Sequence, residues 1–330
     1  MSWQVRLLPL GIDRETLVDP AVALIRTTLN AASKAAPRLA GRAAFELYRH
    51  PVRRGRVRTR EREVHDRAVT ETLTVGGERV VVHRWGDGAR PVLLLHGWQS
   101  RASRFADFVP RLNALGLTPV AFDAPGHGDS GGRTTTVPGY RDIALRLQER
   151  YGDFEAVVAH SLGVNAAFLA LRSGLRAGRL VAVAGVAEVS YLPAAFCARL
   201  GLNATVEAEV GRRVESGAMF PGVTDVAAHF DAARNPEEIG LPILVAHDED
   251  DDVVPFGHAR RLAAAYGDRL ELLATRGLGH RRILTEPAVI DNVVGFLAAG
   301  HGSQDGGAPG VVGASDAGRA SGAGHQVGAA

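Results

Sequence analysis

Between residues 70 and 300 the chain alternates short apolar runs with longer stretches of helical spacing. β-Branched or leucine-rich runs occupy 79–84, 91–95, 118–122, 154–159, 180–185, 242–246 and 269–274. Runs that are apolar throughout and bounded by turn residues are what a strand buried on both faces requires. Strands alternating with helices predict an α/β fold, a mostly parallel sheet covered on both sides. In such sheets ligands bind beyond the carboxyl ends of the strands. Chemistry is therefore expected in the segments that follow these runs.

The flanks read differently. Residues 20–48 carry Leu24, Ile25, Leu29, Ala32, Leu39, Ala43, Phe45 and Leu47 near helical spacing. They predict one or two amphipathic helices packed on the main domain. Residues 188–238 lie between two core runs and are too long for a plain crossover, so a small helical cap is expected there. Its Tyr191, Leu192, Phe196, Leu200, Leu202, Met219, Phe220 and Phe230 could roof an apolar pocket. Residues 301–330 are Gly, Ala and Ser with few large apolar side chains, and a disordered tail is expected. The division is a basic, partly helical extension over 1–66, a domain over 67–300 with its cap insertion, and the tail over 301–330.

Composition narrows the chemistry. Cys197 is the single cysteine, which rules out an internal disulfide and a cysteine-based zinc or iron–sulfur cage. Lys34 is the sole lysine and no Gly-Lys-Ser/Thr occurs, so a P-loop is excluded and a pyridoxal Schiff base has no plausible anchor. No apolar run approaches the roughly 18 residues that span a bilayer. The N-terminus lacks a signal-peptide core, so a cytoplasmic protein is expected. The formal net charge of +2 hides an uneven distribution. Residues 1–66 hold 13 Lys/Arg against 7 Asp/Glu, whereas the body is slightly acidic. Arg53, Arg54, Arg56, Arg58, Arg60 and Arg62 form the densest run, without the interleaved aromatics that single-strand binding wants. It reads as a solvated, partly helical surface, with no nucleic-acid partner expected. Peripheral contact of residues 20–66 with an anionic membrane is the competing reading.

Five segments follow the apolar runs: His96-Gly97-Trp98; Asp123 to Ser130 (Asp-Ala-Pro-Gly-His-Gly-Asp-Ser); His160-Ser161-Leu162-Gly163; the acidic run 248–252 before Val253-Val254-Pro255; and Gly277-Leu278-Gly279-His280. Ser161 lies where a strand turns into a helix rich in small residues (Gly163, Ala166, Ala167), as a nucleophile elbow requires. The first small position of that turn holds Ala159 rather than glycine. A serine needs a base, and the base needs a third group to fix its tautomer. Ser161, then an acid after a later strand, then His280 supplies that order.

With these five segments in register, residues 70–300 resemble an α/β-hydrolase of the serine hydrolase or esterase branch. The resemblance implies Ser161 as nucleophile and His280 as general base and acid. The family's Asp-x-x-Val-Pro spacing selects Asp251 from the acidic run, and Glu188 after the preceding strand is the alternative acid. The backbone amides of Trp98 and Leu162 would form the oxyanion hole, and Trp98 could also line the acyl pocket. His96 and His127 would stabilise loops. A calcium loop in the acidic run lacks the EF-hand glycine and spacing. His96, His127 and His160 lack ligand spacing, so no metal is expected, and no cofactor is implied. A serine nucleophile implies acyl transfer on a small-molecule substrate: a carboxylic ester first, with thioester, lactone, amide or carbon–carbon hydrolysis as alternatives. A ligand-binding protein on the same fold is the reading from another class.

Overall fold

The computed structural model describes residues 20–217, 219, 220 and 222–299. Residues 1–19 and the tail expected to be disordered lie outside the described residues. The strands are β1 (Val69–Val75), β2 (Glu78–Arg84), β3 (Pro91–Leu95), β4 (Thr118–Asp123), β5 (Ala156–His160), β6 (Leu180–Val183), β7 (Ile243–Asp248) and β8 (Leu270–Thr275). They form one sheet in the order β1-β2-β4-β3-β5-β6-β7-β8. Every pairing from β4 through β8 is parallel, while β2 runs antiparallel to both β1 and β4.

The helices are α1 (Pro20–Ala35), α2 (Pro37–Arg49), α3 (Thr59–Asp66), α4 (Val109–Ala114), α5 (Val137–Tyr151), α6 (Leu162–Arg172), α7 (Tyr191–Leu200), α8 (Ala204–Glu215), α9 (Val226–His229), α10 (Gly257–Tyr266), α11 (Gly279–Arg282) and α12 (Pro287–Ala298). All five residues of β3 are buried, as are all of β4, β5 and β6. Alternation along β3 divides them between two layers. Leu93 and Leu95 join Phe122, Tyr140 and Phe168 on one face, while Val92 and Leu94 join Phe105, Phe108 and Ile290 on the other. The sheet is thus covered on both sides.

The apolar runs leave out one strand, and the seat of the N-terminal helices on the domain is more specific than their spacing predicts. β1 was absent from the apolar runs because its sequence, Val-Thr-Glu-Thr-Leu-Thr-Val, alternates and leaves every residue at least partly exposed. That is the signature of an edge strand with one wet face. It returns to β2 through Gly76-Gly77, both at positive φ (58° and 81°), as a tight hairpin demands. The N-terminal helices, expected on the main domain, have cap helix α8 as their principal partner. The Asn30 side-chain amide donates to Gly201 O at 2.9 Å, and the Asn203 amide returns a bond to Asn30 Oδ1 at 2.9 Å. Tyr48 meets Phe196 edge-on at 5.4 Å. The small stripe Ala40, Gly41, Ala44 on α2 is buried and permits this approach. No helix among the described residues is long and apolar enough to cross a membrane.

Candidate active site

Strand β5 ends at His160 and α6 begins at Leu162, leaving Ser161 alone in the turn. Its backbone is at φ 57° and ψ −121°. A non-glycine residue there costs on the order of 1–3 kcal/mol and persists only where the surroundings hold it. Here the Ser161 amide donates to Val183 O at 3.0 Å, and Ser161 O accepts the Val164 amide at 3.0 Å. Gly163 allows the helix to meet β3, since a Cβ there would stand 2.4 Å from Leu95 O. Ala159, in the place of the usual first glycine, is fully buried and fits. Ser161 itself is half-buried, so its hydroxyl faces an accessible space.

The structure brings Ser161, His280 and Asp251 into one chain of hydrogen bonds. His280 Nε2 lies 3.0 Å from Ser161 Oγ, and His280 Nδ1 lies 2.8 Å from Asp251 Oδ2. A carboxylate only accepts, so Nδ1–H donates to Asp251 and the Nε2 lone pair faces the hydroxyl. Asp251 is buried, which by itself would raise its pKa. Hydrogen bonds from His247 and His280, the charge at His280 and the Val254 amide outweigh burial and hold the carboxyl below its ordinary range. The Val253 and Val254 amides both reach Asp251 Oδ1 at 2.8 Å. Glu188 is not part of this chain. It pairs with Arg261 at 2.8 Å.

Of the neighbours of Asp251 in the acidic run, Asp250 and Asp252 are exposed, but Asp248 is not. Asp248 is fully buried at the end of β7. Its Oδ2 accepts from Thr275 Oγ1 at 2.7 Å and from the Leu278 amide at 3.0 Å. Asp250 accepts the Gly277 amide at 3.0 Å. Together they fasten the loop carrying His280 to the loop carrying Asp251. Burial works to raise the Asp248 pKa, but the Thr275 hydroxyl and the Gly279, Leu278 and Asp250 amides prevail and lower it. His160 adds a third fastening, its Nε2 lying 2.9 Å from His280 O. Burial, then the neighbouring His280, lowers the His160 pKa to about 3, so it stays neutral and donates to that carbonyl. Sequence reasoning missed Asp248, His160 and His247. The visible signal was a polar residue closing an apolar run.

The loop after β3 sits directly over Ser161. A Cβ on Gly97 would stand 2.8 Å from Ser161 Cβ, and Trp98 follows it. Among the described residues the Trp98 and Leu162 amides have no backbone acceptor. The Trp98 indole rests edge-on against His127 at 5.1 Å and is half-buried. His96 Nε2 accepts the Ala124 amide at 3.0 Å, leaving Nδ1–H to donate to Gly97 O at 2.7 Å. Behind it, buried Asp123 accepts the Ala102 and Asp129 amides, each at 2.8 Å, and Arg101 Nη2 at 3.1 Å. The Asp-x-Pro-Gly-His-Gly-x-Ser segment is therefore a brace for the Trp98 loop.

Of the side chains expected to roof a pocket, Leu202, Phe220 and Phe230 are buried, with Phe220 and Phe230 rings 4.6 Å apart. They hold the cap together. Tyr191 ties the cap to the acid loop, its hydroxyl donating to Val253 O at 2.8 Å. Leu192, Phe196, Leu200 and Met219 stay partly exposed. Among the described residues His65, His83 and Asp129 form one grouping of metal-ligand type, spread over as much as 4.8 Å. The Arg101 guanidinium already contacts Asp129 at 2.5 Å, so a positive charge stands where a cation would go.

A parallel sheet with a strained serine between strand and helix, and an acid and histidine on later strand ends, defines an α/β-hydrolase. Residues 92–293 match the model of the alpha/beta hydrolase family, and the chain belongs to it. Over 87 residues it is 40% identical to a monoacylglycerol lipase of Mycolicibacterium smegmatis, covering 26% of this chain and 29% of that protein. The chain thus spans under a third of that relative's length in the match. Two solved structures share the fold. Mouse alpha/beta hydrolase domain-containing protein 10 is similar with a TM-score of 0.56 at 18% identity, covering 70% of this chain and 98% of that one. A monoacylglycerol lipase of Paleococcus ferrophilus gives 0.53 at 21%, covering 67% and 99%.

Proposed function

We propose that the protein is a serine hydrolase that cleaves a carboxylic ester through an acyl-enzyme. The observation that carries the reading is the continuous chain Ser161 Oγ, His280, Asp251 with contacts of 3.0 and 2.8 Å. His280 Nε2 accepts the Ser161 proton as Oγ attacks the ester carbonyl. The imidazolium so formed is stabilised by Asp251, whose carboxylate stays ionised. The Trp98 and Leu162 amides donate to the oxyanion of the tetrahedral intermediate, the kind of interaction worth about a hundredfold or more in rate per donor. His280 then gives its proton to the leaving alcohol. Water, deprotonated by the same imidazole, releases the acid.

Similarity to a protein named as a monoacylglycerol lipase supports an apolar acyl group. The expected cytoplasmic setting rests on the sequence alone. Turnover of p-nitrophenyl butyrate by wild type and Ser161→Ala tests the reading. The variant should lose on the order of 10⁶ in kcat while remaining folded. Wild-type turnover by the variant contradicts it.

A further inference from the structure

We propose that residues 49–66, which precede the family-matched span, form a strap that sets the oxyanion loop, with Glu61 as its principal positioning residue. This rests on the serine-hydrolase reading and names residues that act through the loop on its backbone donors. The strap meets the two loops flanking the site at successive points. Arg54 donates to Gly132 O at 2.7 Å, to Gly128 O at 3.4 Å and also to Ser130 O. A Cβ on Gly55 would stand 2.8 Å from Ser100 O, two residues after Trp98. Arg104 Nη2 donates to Arg56 O at 2.9 Å. The Trp85 indole donates to Val64 O at 2.7 Å and fixes the far end. All six arginines of the run are exposed, as expected of a solvated surface, and Arg54 in addition reaches these loops.

Glu61 sits at the centre of these contacts, with 3% of its side chain exposed. Its Oε2 accepts Ser103 Oγ at 2.7 Å and the Arg58 amide at 3.0 Å, and it also pairs with Arg104. Ser103 and Arg104 belong to the 3-10 turn Ala102–Phe105 that ends the Trp98 loop. Inside that loop Gln99 is held at φ 53°, a conformation that persists only where its surroundings dictate it. Asp123 grips the turn from one side through the Ala102 amide, and Glu61 grips it from the other. A buried carboxylate joining α3 to this turn fixes where the loop, and with it the Trp98 amide, comes to rest. Catalytic donors misplaced by about 1 Å lose up to roughly a hundredfold in rate.

The experiment compares full-length wild type, Glu61→Gln, Ser103→Ala and Ser161→Ala on p-nitrophenyl butyrate, with affinity for an alkyl trifluoromethyl ketone as second readout. Its hemiketal oxyanion reports on the donors directly. Glu61→Gln should lower kcat about 10- to 100-fold with KM nearly unchanged, and weaken the ketone by a matching factor. Ser103→Ala removes one hydrogen bond of the strap and should show a smaller effect of the same pattern, which covers the case of Glu61→Gln failing to fold. Wild-type kcat and ketone affinity in both variants, with Ser161→Ala inactive, overturn the strap and leave the hydrolase reading standing. A kcat loss without a ketone loss also overturns it. Full turnover by Ser161→Ala overturns both.

Discussion

At the scale of single residues the site is a set of polar groups whose neighbours fix their protonation. Asp251 is held ionised by His247, His280 and two backbone amides, and it in turn fixes the His280 tautomer. Asp251→Asn keeps the shape but can reverse the tautomer, so kcat should fall by about 10⁴. Glu188→Gln, which breaks only the contact to Arg261, should leave kcat within about twofold of wild type. Steady-state kinetics on both variants distinguish the two acids. Ser161 and His280 were legible in the sequence because they follow apolar runs in the order the chemistry needs, whereas Asp251 was singled out from its acidic run only through the Asp-x-x-Val-Pro spacing of the resemblance. Asp248 and His160 were not legible, because their function is to hydrogen-bond a loop from far along the chain. A linear pattern shows that a polar residue ends a strand, but not that the residue is buried and what it faces.

Among the elements, buried strands were easy to see and half-exposed ones were not. β3 to β6 are continuous apolar runs, whereas β1 hides in an alternating Thr-rich segment and betrays itself only by Gly76-Gly77. The helical spacing of α1 and α2 was also visible, but amphipathicity does not name the partner. That partner became clear from the approach of α2 to α8, where a Cβ on Gly41 would lie 2.2 Å from Glu209 Cβ. Gly41→Val should force the helices apart and cost about 1–3 kcal/mol, as overpacking does. Hydrogen exchange should then quicken over 20–49 and 204–215 while β3 to β7 keep their protection. Uniform protection in the variant would contradict the close packing of α2 on α8.

For the whole molecule, the two-sided core buries histidines as well as apolar groups. Burial lowers the pKa of His127 and His160 from 6.5 to about 3 and of His258 from 6.5 to about 4. The unfolded chain binds these protons near pH 6.5 and the folded chain does not. Their contribution to stability is therefore complete above pH 6.5 and is lost as the pH falls towards those values. Each such histidine steepens the loss of stability with falling pH over its interval. The melting temperature should hold steady from pH 8 to 7 and drop progressively between pH 6.5 and 4. A flat profile across that range would show these side chains to be hydrated.

The central claim is that Ser161 becomes acylated. Acid quench during turnover of p-nitrophenyl butyrate, followed by peptide mass spectrometry, tests it most directly. The account predicts a butyryl increment on the peptide containing Ser161, localised to that residue and missing from Ser161→Ala. A butyryl group on another side chain that forms and decays at the turnover rate would contradict it.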